Sequence, residues 1–188
     1  MDTTTETPPR TALRDATRTH HERTEAAVDL MARLHSLDAY RAMVARFLGL
    51  HAPLEDALAG LPWADAGLDF EARRRTPALR ADLDALGVDA ATVEMCPDVP
   101  HPATLAAGLG SLYVLEGASL GGQIIARDAT AALGTDATRF FRGDGRAVGP
   151  MWRAFGRALD STLDTPERLG EATRAAADTF DLFERWMR

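Results

Sequence analysis

Two groups of residues carry the chemistry in this chain. The first is His21, with Arg14 seven residues and Arg18 three residues before it. Seven residues is nearly two helical turns, so on a helix Arg14 and His21 point almost the same way, about 10 Å apart along the axis. An imidazole then shares a face with two guanidiniums. The second group is Gly117, Gly121 and Gly122, set in the otherwise apolar, helix-patterned stretch Gly-Ser-Leu-Tyr-Val-Leu-Glu-Gly-Ala-Ser-Leu-Gly-Gly-Gln-Ile-Ile over Gly110–Ile125. Each Gly costs a helix interior about 1 kcal/mol relative to Ala, so three within one short stretch require a reason. Gly117 and Gly121 are four apart and share a face, where a missing side chain lets another body reach the backbone. Gly122 then favours a bend. The stretch reads as a helix bending over a flat, bulky ligand; close packing of two helices is the competing explanation.

A neutral imidazole serves as an axial ligand to iron in heme proteins. Heme also carries two propionates on one edge, and guanidinium pairs with carboxylate through fork-shaped hydrogen bonds. The His21 face suits that ligand; a solvated helix face is the alternative. His20 competes for the role, but adjacent helical residues point about 100° apart. His21 shares a stripe with Leu13, Thr17, Thr24 and Val28, whereas His20 leans away.

The elements that must position these groups are helical. Ala, Leu and Arg dominate, and no run of alternating β-branched residues suggests a strand. The fold class is all-α. Apolar spacing predicts helices over 11–31, 36–58, 70–86, 103–133 and 150–163, and a last one from Pro166 to about Met187. Pro8-Pro9 stands before the first helix, with Thr11 as its cap. Ser36 caps the second, and Pro53 kinks or interrupts it. Ser36–Leu58 and the stripe Ala176, Phe180, Phe183 and Trp186 read as core. Residues 135–149 read as a short helix plus loop. Arg153 and Arg157, four apart, share a face that can meet the same anionic edge as Arg14. Arg73-Arg74-Arg75 reads as a solvated basic face, with docking of an acidic partner as the alternative. Residues 1–10 are expected to be a disordered tail and 11–188 one helical domain.

Composition excludes several classes. The net charge of −7 argues against general nucleic-acid binding. One cysteine, Cys96, cannot form an internal disulfide and suits a reducing cytoplasm. No apolar run approaches the roughly 18 residues of a membrane span, and the polar start does not resemble a signal peptide. All the basic side chains counted as Lys or Arg are Arg.

Taken together, His21 preceded by Ala16-Thr17 and followed by Glu25, with the later Leu-Tyr-Val-Leu-Glu-Gly-x-x-Leu-Gly-Gly-Gln, resembles the heme oxygenases, in particular the bacterial type paired with bacteriophytochromes. The resemblance runs from Leu13 to about Trp186. It implies a single-domain helical bundle with heme sandwiched between a proximal and a kinked distal helix. It implies oxidative opening of heme to biliverdin with release of CO and iron, using O2 and electrons from a ferredoxin or reductase. Heme is then both substrate and cofactor, and a bacteriophytochrome is a candidate recipient of biliverdin. By resemblance His21 is the proximal iron ligand, and Arg14, Arg18, Arg153 and Arg157 lie on the propionate side. Tyr113 reaches a propionate, Gly117 and Gly121 press the distal backbone on the heme, and Phe180 is a pocket wall. Some family members carry Asp after the first distal glycine; here that position is Ala118, so a proton-delivering water must be held by other groups, such as backbone carbonyls or Ser119. A heme carrier or sensor without turnover is the alternative function.

Overall fold

The computed structural model describes residues 7–117, 122–143 and 145–188, the side chain of Arg146 excepted. Among the described residues eight α-helices follow one another: α1 Pro9–Val28, α2 Leu37–Leu58, α3 Thr76–Ala85, α4 Leu105–Gly117, α5 Gly122–Leu133, α6 Arg139–Arg142, α7 Val148–Thr162 and α8 Pro166–Met187. Among the described residues there is no strand.

The termini of these helices follow their local sequence in some places and depart from it in others. Pro8-Pro9 does not stand outside α1: Pro9 opens it, where its missing N–H costs nothing, and Thr11 is not the cap. Arg10, expected in the tail, is helical and pairs with Asp160 of α7 at 3.3 Å. Asp29 ends α1 in the left-handed region at φ 38°. Ser36 caps α2 by accepting from the Ala39 N–H at 3.1 Å. α2 then runs through Pro53 without a break. The predicted 70–86 helix is a one-turn segment over Glu71–Arg73 followed by α3. The long 103–133 helix is present as two, α4 and α5; Ala118, Ser119 and Gly121 lie outside the described residues.

α8 is the scaffold. α4 and α1 both pack along it. Gly110 brings α4 onto α8 so closely that a Cβ there would lie 2.1 Å from the Ala172 carbonyl oxygen. The buried hydroxyls of Ser111 and Thr179 meet at 3.1 Å beside that crossing. α1 is held by Thr24, which donates to the Phe180 carbonyl at 3.2 Å, and by Arg23, which reaches Glu184 at 2.9 Å. The core beneath α2 is aromatic: Phe47 packs on Phe140, Phe141 and Phe183. Phe183 thus takes the core role predicted for its stripe. No described helix is long and apolar enough to cross a membrane.

Candidate functional site

α1 turns Leu13, Thr17, Thr24 and Val28 inward, as the 3.6-residue spacing requires, and its two histidines differ in what they touch. His20 is committed: its Nδ1 lies 2.8 Å from Asp181 Oδ1. Burial alone would raise the Asp181 carboxyl, but the hydrogen bond from His20 and the charge of Arg23 hold it below the ordinary carboxylate range. His21 is half exposed. Its ring meets Phe180 edge-on, with centroids 5.7 Å apart. Its Nδ1 lies 3.5 Å from the Glu25 carboxylate one turn on. A carboxylate at Nδ1 favours the tautomer with the proton there and leaves Nε2 as a lone-pair donor.

Tyr113 ties α4 to α1. Burial raises its phenol, while hydrogen bonding with Thr17 and the positive charge of Arg14 pull it back. Contacts at Thr104–Glu171 and Ser111–Thr179 run in the same sense along α8 as His20–Asp181 and Arg33–Met187. α1 and α4 therefore run the same way on one scaffold. His21 is one turn beyond Thr17, and Gly117 one turn beyond Tyr113, about 6 Å further along each axis. Among the described residues a Cβ at Gly117 would meet nothing within 4 Å. That face of α4 is open, unlike Gly122, where a Cβ would lie 2.2 Å from the Phe141 carbonyl oxygen. The three glycines singled out from sequence thus divide: Gly122 is there for packing, Gly117 faces open space, and Gly121 lies outside the described residues.

The predicted cations are placed as follows. Arg14 is exposed and contacts Asp15 at 3.1 Å. Arg18, Arg153 and Arg157 are exposed, and among the described residues none of the three makes an ion pair. Arg153 and Arg157 lie on the side of α7 away from Phe155 and Leu159. α7 approaches the Tyr113 side through Trp152, whose ring is 6.2 Å from that of Tyr113. Two surface clefts elsewhere, one beside Arg41 and Arg139 and one along α5, are lined by none of the predicted site residues.

One reading is corrected. Arg73-Arg74-Arg75 is not a solvated face: Arg73 and Arg75 are buried. Arg73 pairs with buried Glu116 at 2.8 Å. Arg74 pairs with Asp56 at 2.5 Å and with Glu55 at 3.4 Å, and the Arg75 and Thr76 amides donate to Glu55 at 2.8 and 3.2 Å. These internal carboxylate partners, Glu55 and Glu116, were missed from sequence. Their signal was an acidic residue in or at the edge of an apolar helical run, Glu116 alone and Glu55 beside Asp56.

The fold is that of a heme oxygenase: the structure superposes on a nitric-oxide- and CO-bound heme oxygenase from Neisseria meningitidis with a TM-score of 0.84, at 22% identity, over 96% of this chain and 90% of that one. A heme oxygenase from Xanthomonas campestris pv. campestris is 36% identical over 152 residues, which is 78% of this chain and 87% of that protein. The heme oxygenase family model matches residues 9–188, and the chain belongs to that family.

Proposed function

We propose that the protein opens heme to biliverdin with release of CO and iron, and that His21 is the protein's iron ligand. The observation that carries this reading is the pairing of His21, Nε2 unengaged, with the open face of Gly117, each one turn beyond the Tyr113–Thr17 contact. Among the described residues no three His, Cys, Asp or Glu side chains gather into a metal cage. A metal at His21 must then bring its other ligands with it, as a porphyrin does. Heme supplies the iron at which O2 is activated and the ring that is opened.

The chain's own residues bind and orient. Glu25 stands beside His21 Nδ1, and Phe180 of α8 meets the ring edge-on. Arg14 and Arg18, with Arg153 and Arg157 on α7, take the propionate edge, and Tyr113 offers its hydroxyl there. Gly117 and Gly121 let the α4–α5 backbone approach the other heme face, where positioning of reacting atoms lowers a barrier by several kcal/mol or more. Electrons come from an external donor of the ferredoxin or reductase type, and a bacteriophytochrome is the proposed recipient of biliverdin. The reaction runs in the cytoplasm, where the single buried Cys96 stays reduced.

Heme titration followed by a reductant in air tests this. A saturable heme band should form and decay into a biliverdin absorption. A band that persists makes the protein a carrier, and no band overturns the reading. His21→Ala should lose the axial-ligand spectrum and turnover while His20→Ala keeps both; the reverse result moves the ligand to His20.

A further inference from the structure

Arg73 and Glu116 form a nearly solvent-free ion pair directly beside the open glycine. Glu116 is the residue before Gly117, at the end of α4, and its carboxylate turns inward while Gly117 faces open space. The Arg73 guanidinium donates from Nη1 to Glu116 at 2.8 Å and from Nη2 to the Met151 carbonyl in the first turn of α7 at 3.3 Å. Its plane also lies 5.8 Å from the Phe155 ring of α7. The segment that carries Arg73 is itself anchored, because Phe70 stacks on Trp63 at 4.9 Å with the rings 8° from parallel. One rigid, planar donor thus binds the end of α4 and the start of α7 at once.

A buried ion pair is a poor stabilising device, since desolvation offsets most of the attraction. It is a good geometric one, because the guanidinium fork accepts few arrangements. We propose that Arg73 and Glu116 are positioning residues that set α4 against α7, and so set how heme seats in its own plane. This rests on the reading above: α4 carries the glycine face and α7 the Arg153–Arg157 face, so the distance between those helices decides which ring edge lies under Gly117. Arg73 touches no substrate in this scheme; it acts through Glu116 and the Met151 carbonyl.

The test compares wild type with Arg73→Met, Arg73→Lys and Glu116→Gln. Three readouts are taken: the biliverdin isomers formed, the heme-methyl NMR pattern of the ferric complex before any turnover, and the thermal midpoint. Arg73→Met should double the heme-methyl lines and give about a tenfold rise in the minor isomer's share, the kind of change a small energy difference between two seatings produces. Arg73→Lys should behave likewise, because a point-charge ammonium cannot reach both acceptors in the fork geometry, and Glu116→Gln should show a smaller change. Variants that bind heme with the wild-type methyl pattern and isomer ratio, and lose only thermal stability, overturn the proposal. Should Arg73→Met fail to fold, Arg73→Lys and Glu116→Gln carry the same comparison. Wild type that binds or cleaves no heme overturns the functional reading instead, so the two failures are distinct.

Discussion

Gly110→Ala and Gly117→Ala are the same chemical change two turns apart on one helix, and they should have opposite consequences. At Gly110 the added carbon would lie 2.1 Å from the Ala172 carbonyl oxygen and 2.8 Å from its carbon, where ordinary contact begins near 3.4 Å. Backbone cannot swing aside as a flexible side chain does, so α4 must lift from α8 by roughly 1 Å, which is overpacking at a cost of about 1–3 kcal/mol. The Ser111–Thr179 hydrogen bond stretches with it, losing about 1 kcal/mol. Alanine's better helix propensity returns about 1 kcal/mol. The net loss, about 2 kcal/mol, lowers the melting temperature by about 4–8 °C for a chain of this size. At Gly117 a Cβ would meet none of the described residues within 4 Å, so alanine leaves the melting temperature of the heme-free protein unchanged or slightly raised. A methyl group on a face that meets heme overpacks that contact instead, weakening heme binding roughly 10- to 100-fold. Circular dichroism melts and heme titrations of both variants separate the two effects. Wild-type heme affinity in Gly117→Ala refutes the assignment of that face to heme, and an unchanged melt in Gly110→Ala refutes the close α4–α8 crossing.

Two further outcomes are expected. Burial would raise the Glu55 carboxyl, but the hydrogen bond and charge of His51 and the donating amides of Arg75 and Thr76 outweigh it and hold the group at about 2, against an ordinary 4.5. A carboxylate held that low contributes about 3 kcal/mol, present in full above pH 4.5 and lost as the pH falls toward 2. Urea melts between pH 6 and pH 3 should show wild type losing stability more steeply than Glu55→Gln, and parallel curves would refute the Glu55 account. Ser36→Ala removes the acceptor for the Ala39 amide and should cost about 1 kcal/mol in the same melts; no loss there would mean that the α2 cap is replaced by water.

What was legible in the sequence was short-range. The α1 stripe at Leu13, Thr17, Thr24 and Val28 is buried as its spacing demands, and the cap at Ser36 accepts an amide hydrogen as its residue type suggests. The partner of His20 was not legible: Asp181, which engages it, lies 161 residues away. α6 illustrates the same limit. Thr138 precedes it and makes no cap, and Asp82 of α3 supplies one, accepting from the Arg139 and Phe140 amides at 2.9 and 2.8 Å. No local pattern announces a cap delivered from another helix.

The arginine triplet was misread for the same physical reason. Three adjacent cations read as a solvated face because burying an unpaired guanidinium is costly, and a sequence shows the cations long before it shows their partners. Glu116 sits alone in an apolar helical stretch and Glu55, beside Asp56, follows one; an unpaired buried carboxylate is equally costly. Each is improbable alone, and together they satisfy one another. A carboxylate in an apolar helical stretch therefore forecasts a buried cation from elsewhere in the chain, here from a run that looks like surface. In this chain that logic leads from the loop before α3 to the residue beside Gly117. It makes Arg73 part of the architecture at the Gly117 end of α4 although it is 43 residues from Glu116 in sequence.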